Sequence, residues 1–172
     1  MPSNELKINI RPMTLEDLDA IFWIDRKIRE TGKVITYANL TSQHIFTIDK
    51  KGSYQKRPMS YADLITGDVQ GLLEFGLVAA LEGHVRGFIL GTVEHVGESA
   101  MEIGKILILG VHPDYRRKRI AAELVNAICA KYRSKGIRTV RIGIDQRDKD
   151  LEAFFEHMGF SVGHLIDYAK NI

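Results

Sequence analysis

The chain has 172 residues, of which 45% are hydrophobic and 27% charged, the length and balance of one folded domain rather than of a disordered or fibrous chain. Lysine and arginine total 24 against 22 acidic residues, a formal net charge of +2, which argues against a general nucleic-acid coat and against a polybasic membrane-surface protein. Cys129 is the only cysteine, so an internal disulfide and a cysteine-based metal site are both excluded.

No charged run followed by an apolar core opens the chain, and no apolar stretch nears the ~20 residues of a membrane span. A soluble, cytoplasmic protein of a single domain, residues 1–172, is the expectation. Leu6, Ile8 and Ile10 alternate with polar residues and predict a half-buried strand over 6–11, which Pro12 ends. Thr14 and Asp17 are spaced as a capping box, and Leu18, Ile21, Phe22, Ile24 and Ile28 follow at helical spacing. Residues 31–71 have poor periodicity, interrupted by Gly32, Gly52, Pro58 and Gly67. A short helix over 60–66 is predicted there, with Ser60 as its cap. A stretch this long with so little pattern is usually functional or holds elements the pattern hides.

From Glu74 onward the period changes. Residues 75–81 are nearly all apolar, Gly83 offers a turn, 85–96 is rich in branched residues, Gly97 and Ser99 mark a second turn, and 103–111 reads as a buried strand. Three consecutive antiparallel strands result. Residues 112–115 stop the last of them, and Ile120, Leu124, Val125, Ile128 and Tyr132 then share one helical face, with Gly136 placed to close the helix. Residues 138–144 alternate as a strand, a helix is predicted over 148–158 and a last strand over 160–168. Together these make a mixed α/β fold. Cys129 lies among the apolar residues of the long helix and reads as a small half-buried hydrophobe.

The segment most informative about chemistry runs from Ile106 to Ala121. A buried strand enters a helix through a short loop, so several amides without helical partners point one way, and the helix dipole adds partial positive charge. Arg116, Arg117, Lys118 and Arg119 sit at that point. The arrangement suits a phosphate or pyrophosphate. A solvated loop and a nucleic-acid contact are the competing readings, the first weakened because cations oppose the dipole at this end, the second because no basic stripe accompanies the run. His84, His95 and His112 are scattered, which leaves no metal site by spacing.

The same residues resemble the GNAT superfamily of N-acetyltransferases. Its signature is Arg or Gln, two residues, Gly, one residue, then Gly or Ala. Arg116 and Ala121 stand at the matching places after Val111, His112, Pro113, Asp114 and Tyr115, and the likeness extends from Ile8–Pro12 to Phe154–Phe160, sparing 31–71. The resemblance implies a mostly antiparallel sheet with a splayed parallel strand pair, helices on both faces, and acetyl-CoA as acetyl donor with no metal. It further implies that the strand backbone at Leu109 and Val111 pairs with the pantetheine arm. The amides of Arg116, Arg117, Lys118, Arg119, Ile120 and Ala121 would hold the pyrophosphate. An amine would attack the acetyl carbonyl where the strands ending at Val111 and near Ile144 part.

Three positions depart from the family pattern. Arg119 replaces a Gly, which is sterically acceptable if its backbone stays helical and its side chain turns outward. Asp148 replaces a common Asn. Phe155 stands where many relatives carry a Tyr that protonates the departing thiolate, a role worth about 10²–10⁴ in rate. Tyr168 and Tyr115 are the replacement candidates, and Glu102 and Glu94 are the candidate general bases. The acceptor, a protein N-terminus, a lysine or a small amine, is expected to meet the first helix, residues 31–71 and the following hairpin. Lys33, Lys50, Lys51, Lys56 and Arg57 with Tyr37, Phe46 and Tyr54 would suit an acidic or peptide acceptor. Membrane and nucleic-acid partners are not expected, and an exposed final strand could pair in a homodimer. A non-catalytic acyl-CoA sensor is the alternative reading.

Overall fold

A computed structural model describes residues 7–31, 44–48, 52, 54–58, 69–164, 170 and 172. Strand β1 (Ile8–Pro12) leads through a single 3-10 turn (Leu15–Asp17) into α1 (Leu18–Glu30). Then come β2 (His44–Ile48), β3 (Tyr54–Pro58), α2 (Val69–Glu74), β4 (Leu77–Leu81), β5 (His84–Val96) and β6 (Met101–Val111). A second 3-10 turn (Pro113–Tyr115), α3 (Ile120–Ser134), β7 (Val140–Ile142) and α4 (Lys149–His157) complete the order.

One sheet runs β1-β4-β5-β6-β7, and β2 and β3 form a separate hairpin. Among the described residues all pairings are antiparallel except β6 with β7, which is parallel. Pro12 is tolerated because β1 is an edge strand, where a missing amide donor is harmless. Between β4 and β5, Glu82 and Gly83 both take positive φ, 50° and 81°, the backbone that a tight two-residue hairpin needs to match strand twist.

Apolar layers cover both faces of the sheet. On one, Ile21, Ile24 and Ile28 of α1 meet Val78, Val85, Phe88, Leu90 and Ile108. On the other, Ile120, Leu124, Val125, Ile128 and Tyr132 of α3 and Phe155 of α4 meet Leu77, Ala79, Leu81, Ile89, Ile106 and Leu109. Each such side chain contributes roughly 1.5–3 kcal/mol through its burial. Two register shifts break the alternation: Arg86 is the extra residue in β5 and Leu107 the extra residue in β6. Both bulges shape the site below.

Several expectations change in detail. The stretch that reads as patternless from the sequence contains the β2–β3 hairpin and the start of α2, while the predicted helix over 60–66 lies outside the described residues. The strand read over 138–144 is confined to Val140–Ile142. The last strand predicted over 160–168 is not formed in its described part, 160–164. The Phe160 amide there donates to the Phe155 carbonyl at 3.0 Å to close α4, and the Phe160 ring packs against Phe155. The proposed pairing of that strand across a dimer loses its described half with it. Among the described residues no helix is long and apolar enough to cross a membrane.

Candidate functional site

Strand β6 is paired unequally along its two edges. Toward β5 the ladder continues to Val111, but toward β7 it ends at Ile106 opposite Ile142. The bulge at Leu107 falls at that parting. Leu109 is buried and Val111 half-buried, both facing the α3 layer. Gly110 faces the other way, where an added Cβ would lie 2.5 Å from the Phe88 ring. The backbone of 107–111 therefore extends beyond its partner β7 and runs directly toward the cationic loop.

In that loop Arg116 is extended, with φ −67° and ψ 161°. Arg117 and Arg119 then take left-handed backbone, φ 61° and 65°. The condition that Arg119 keep a helical backbone is not met: it is the residue before α3, at ψ 2°, in a conformation that costs a non-glycine residue roughly 1–2 kcal/mol. This is where the family pattern has glycine, and the φ value gives the reason. Its side chain does turn outward, 81% exposed and 3.6 Å from Glu123. The first helical bond of α3 is donated by the Glu123 amide to the Arg119 carbonyl at 3.0 Å. The amides of Ile120, Ala121 and Ala122 precede it, and the Arg119 side chain does not cap them. Such amides, a turn of alternating backbone hand and a helix dipole together form a concavity for an anion.

The candidate catalytic residues are dispersed. Glu102 lies at the far end of the β5–β6 ribbon, 3.4 Å from His95 and with both side chains exposed. The Leu107 bulge is five steps along the strand from it, about 17 Å. Glu94 is one register position closer to the parting, opposite Ile103, and its carboxylate holds Lys105 Nζ at 2.7 Å. Tyr168 lies outside the described residues. The Tyr115 ring is engaged beneath the loop, with the Arg86 guanidinium at 4.6 Å and Lys118 Nζ at 4.9 Å from its centre. Phe155 is buried edge-to-face against Phe154 and Phe160, at 5.0 and 5.2 Å. Asp148 acts locally, its carboxylate accepting from the Leu151 amide at 3.1 Å and capping α4. Cys129 is half-buried, and burial pushes its thiol pKa up.

The profile of the Acetyltransferase (GNAT) family matches residues 42–160, more than half of the chain. The chain belongs to the GNAT acetyltransferase family. Solved structures share its fold at low sequence identity. The aminoglycoside N-acetyltransferase AAC(6')-Iy in complex with CoA is 18% identical, with 100% of this chain and 99% of that one covered and a TM-score of 0.65. An aminoglycoside acetyltransferase, meta-AAC0020, from an uncultured soil metagenomic sample, gives 18%, 98% and 97%, and 0.62. The ribosomal-protein-S18-alanine N-acetyltransferase from Escherichia coli gives 15%, 90% and 78%, and 0.61. Within this GNAT protein, Trp23 and Arg86 are neighbours of the loop that the sequence did not single out. The signal was slight: a lone tryptophan beside the apolar stripe of α1, and an arginine inside an otherwise apolar strand.

Proposed function

We propose that this GNAT protein transfers the acetyl group of acetyl-CoA to an amine by direct attack. One observation carries the reading: β6 outruns β7 from Leu107 to Val111 and ends at a cationic helix start. A ligand that uses both features needs an extended arm bearing amides, to follow a strand edge, joined to a diphosphate. CoA has that chemistry. The backbone at Leu109 and Val111 would take the amide arm. The amides of Arg116 to Ala121 would take the pyrophosphate, with Arg116, Arg117, Lys118 and Arg119 balancing its charge.

When bound, acetyl-CoA supplies an acetyl group on a good leaving thiolate. The chain's part is to hold the arm, receive an amine at the parting of β6 and β7, and move protons. Glu94 is the carboxylate nearer that parting and takes precedence over Glu102 as general base, directly or through water. Tyr168 is our candidate proton donor, with Tyr115, whose ring carries the cations of Arg86 and Lys118, as its alternative. The solved structures with this fold carry names for aminoglycosides and for a ribosomal-protein alanine. Small polycationic amines and peptide N-termini are therefore the first acceptors to assay, with acidic peptides added because of the lysines of residues 31–71.

The test is release of free CoA thiol across such a panel. Turnover with at least one amine supports the transferase. Arg116→Ala should weaken CoA binding about 10- to 100-fold, the equivalent of one charge-assisted contact. Phe155, buried without a hydroxyl where many relatives have tyrosine, favours a second reading, a non-catalytic acyl-CoA sensor. Tight binding with no turnover for any acceptor would select it.

A further inference from the structure

Among the described residues, two buried side-chain polar atoms lack a hydrogen-bond partner, Arg86 Nε and His112 Nε2, and both lie against the base of the cationic loop. The His112 ring stacks on Trp23 of α1 with centroids 4.6 Å apart and meets Tyr115 edge-on at 5.4 Å. The Arg86 guanidinium lies 4.6 Å from the Tyr115 centroid and 5.9 Å from that of Trp23. Main chain joins the two as well, since the His112 amide donates to the Arg86 carbonyl at 2.8 Å. The bulge at Arg86 makes this possible: it breaks the alternation so that Arg86 and Val85 both reach the α1 side of the sheet.

His112 also has one defined hydrogen bond. Its Nδ1 accepts from the Asp114 amide at 3.2 Å and so caps the 3-10 turn Pro113–Tyr115. That bond fixes the protonation state, because an accepting Nδ1 carries no hydrogen and the neutral ring then bears its proton on Nε2. The turn delivers the chain to Arg116 and to the left-handed Arg117. A stack serving packing alone would be better served by apolar residues without unpartnered polar atoms.

We propose that His112, held by Trp23 and Arg86, is a positioning residue for the CoA loop, setting the backbone of residues 113–119, and hence cofactor affinity, through the Asp114 amide. The proposal rests on the reading that this loop holds the CoA pyrophosphate. Charge around the ring supports it. Burial lowers the His112 pKa from its ordinary 6.5, and Arg86 of β5, Lys27 of α1 and Arg116 of the loop push the same way, while Asp114 opposes them. A proton gained on Nδ1 would remove the acceptor from the Asp114 amide. CoA affinity therefore falls when pH drops through the lowered pKa.

The experiment uses the full chain and measures CoA binding by calorimetry, steady-state kinetics, and hydrogen exchange at the Asp114 and Arg116 amides. His112→Phe keeps the stack and loses the acceptor. It should speed exchange at Asp114 and raise Kd and the acetyl-CoA KM about tenfold, with kcat nearly unchanged. His112→Asn presents a carboxamide oxygen near the place of Nδ1. It should restore exchange and most of the affinity, and should not show the acid-dependent loss of the wild type. Trp23→Leu should give a smaller loss of the same kind. The proposal is overturned if folded His112→Phe binds CoA like wild type, if His112→Asn falls as far as His112→Phe, or if Trp23→Leu changes neither reading. Failure of the wild type to bind CoA would sink the functional reading, and with it the link from His112 to cofactor affinity, but not the hold of His112 on the loop backbone. Unchanged exchange in His112→Phe would sink the positioning role whatever the ligand.

Discussion

Buried polar groups are treated differently in two regions of this molecule. At the junction of β1 and α1, Asp17 accepts from both Arg11 terminal nitrogens at 2.7 Å, from the Thr14 amide at 2.9 Å and from its hydroxyl at 3.2 Å. Between β5, β6 and α3, the Tyr132 hydroxyl sits between the carbonyls of Thr92 and Lys105, at 2.9 and 3.0 Å. Beneath the cationic loop, by contrast, His112 Nε2 and Arg86 Nε have no partner among the described residues, and the loop itself holds two arginines in left-handed backbone. A folded protein places such costs where function needs them. The contrast separates a scaffold whose buried polar side chains are bonded from a loop base that leaves two such atoms without partners, in the loop for which we propose an anion.

The largest effect expected is in the scaffold. Tyr132 lies flat against two glycines, where an added Cβ would come within 2.1 Å of its hydroxyl at Gly91 and within 2.8 Å of its ring at Gly104. The ring is fixed by its hydroxyl and by stacking on Phe75 at 4.8 Å, so it cannot simply swing aside. Gly91→Ala should therefore cost about 2–4 kcal/mol, combining overpacking with a displaced hydrogen bond. Urea unfolding measures it. A cost below about 0.5 kcal/mol would show that the seam is no tighter than the loop and would break the comparison.

Asp17 offers the next largest effect and a sign. Its hydrogen bonds to Arg11, and after them those to Thr14, hold its pKa below the usual 3.8, while burial opposes them. The unfolded chain then binds the proton more readily than the folded one, so stability is complete above the ordinary carboxylate pKa and is lost as pH falls through the lowered one. Asp17→Asn should cost about 1.5–3 kcal/mol at neutral pH, the range for bonds to a charged group. It should also flatten the acid limb of the stability curve near pH 4 and below. His112, whose pKa is likewise lowered, has the same sign in a higher window, with loss beginning as pH falls below about 6.5. His112→Asn should remove that first step and leave the Asp17 step in place. A single shared transition in both variants would contradict the separation of the two regions.

Much of the scaffold is legible in the sequence because periodicity and turn chemistry agree there. The stripes of α1 and α3, the hairpin turn at Gly83 and the antiparallel run from 75 to 111 each carry their own signal. The β2–β3 hairpin is not legible, since His44–Ile48 and Tyr54–Pro58 lack a clean alternation of two. Nor is the end of β7 at Ile142, for residues 143 and 144 continue its pattern although the ladder has ended. Within the candidate site, the cationic run and the strand before it are plain. Arg86 and Trp23 are not, because a bulge decides which side of the sheet Arg86 takes, and a bulge leaves no mark in the alternation of a strand this apolar. The backbone of Arg119 escapes the sequence for a related reason: nothing in the residue itself announces a positive φ, and only the family's glycine hints at one.

The smallest effect discriminates most sharply between tolerance and use. Arg119→Gly removes the left-handed strain, roughly 1–2 kcal/mol, and gives part of that back through the greater freedom of glycine in the unfolded chain, roughly 0.4–1 kcal/mol. The loose Arg119–Glu123 contact at 3.6 Å is largely exposed, and pairs of that kind contribute little, about 0–1 kcal/mol. A net stabilisation of about 0.5 kcal/mol is expected, visible as a small rise in Tm. CoA affinity measured on the same variant then decides the role of the side chain. If Arg119 is merely tolerated, affinity holds or improves, since backbone approaches a phosphate more closely without a Cβ. If its guanidinium completes the loop's charge, affinity falls even as the protein becomes more stable. That opposition between stability and binding is what a loop built for its ligand should show, and a fully bonded scaffold should not.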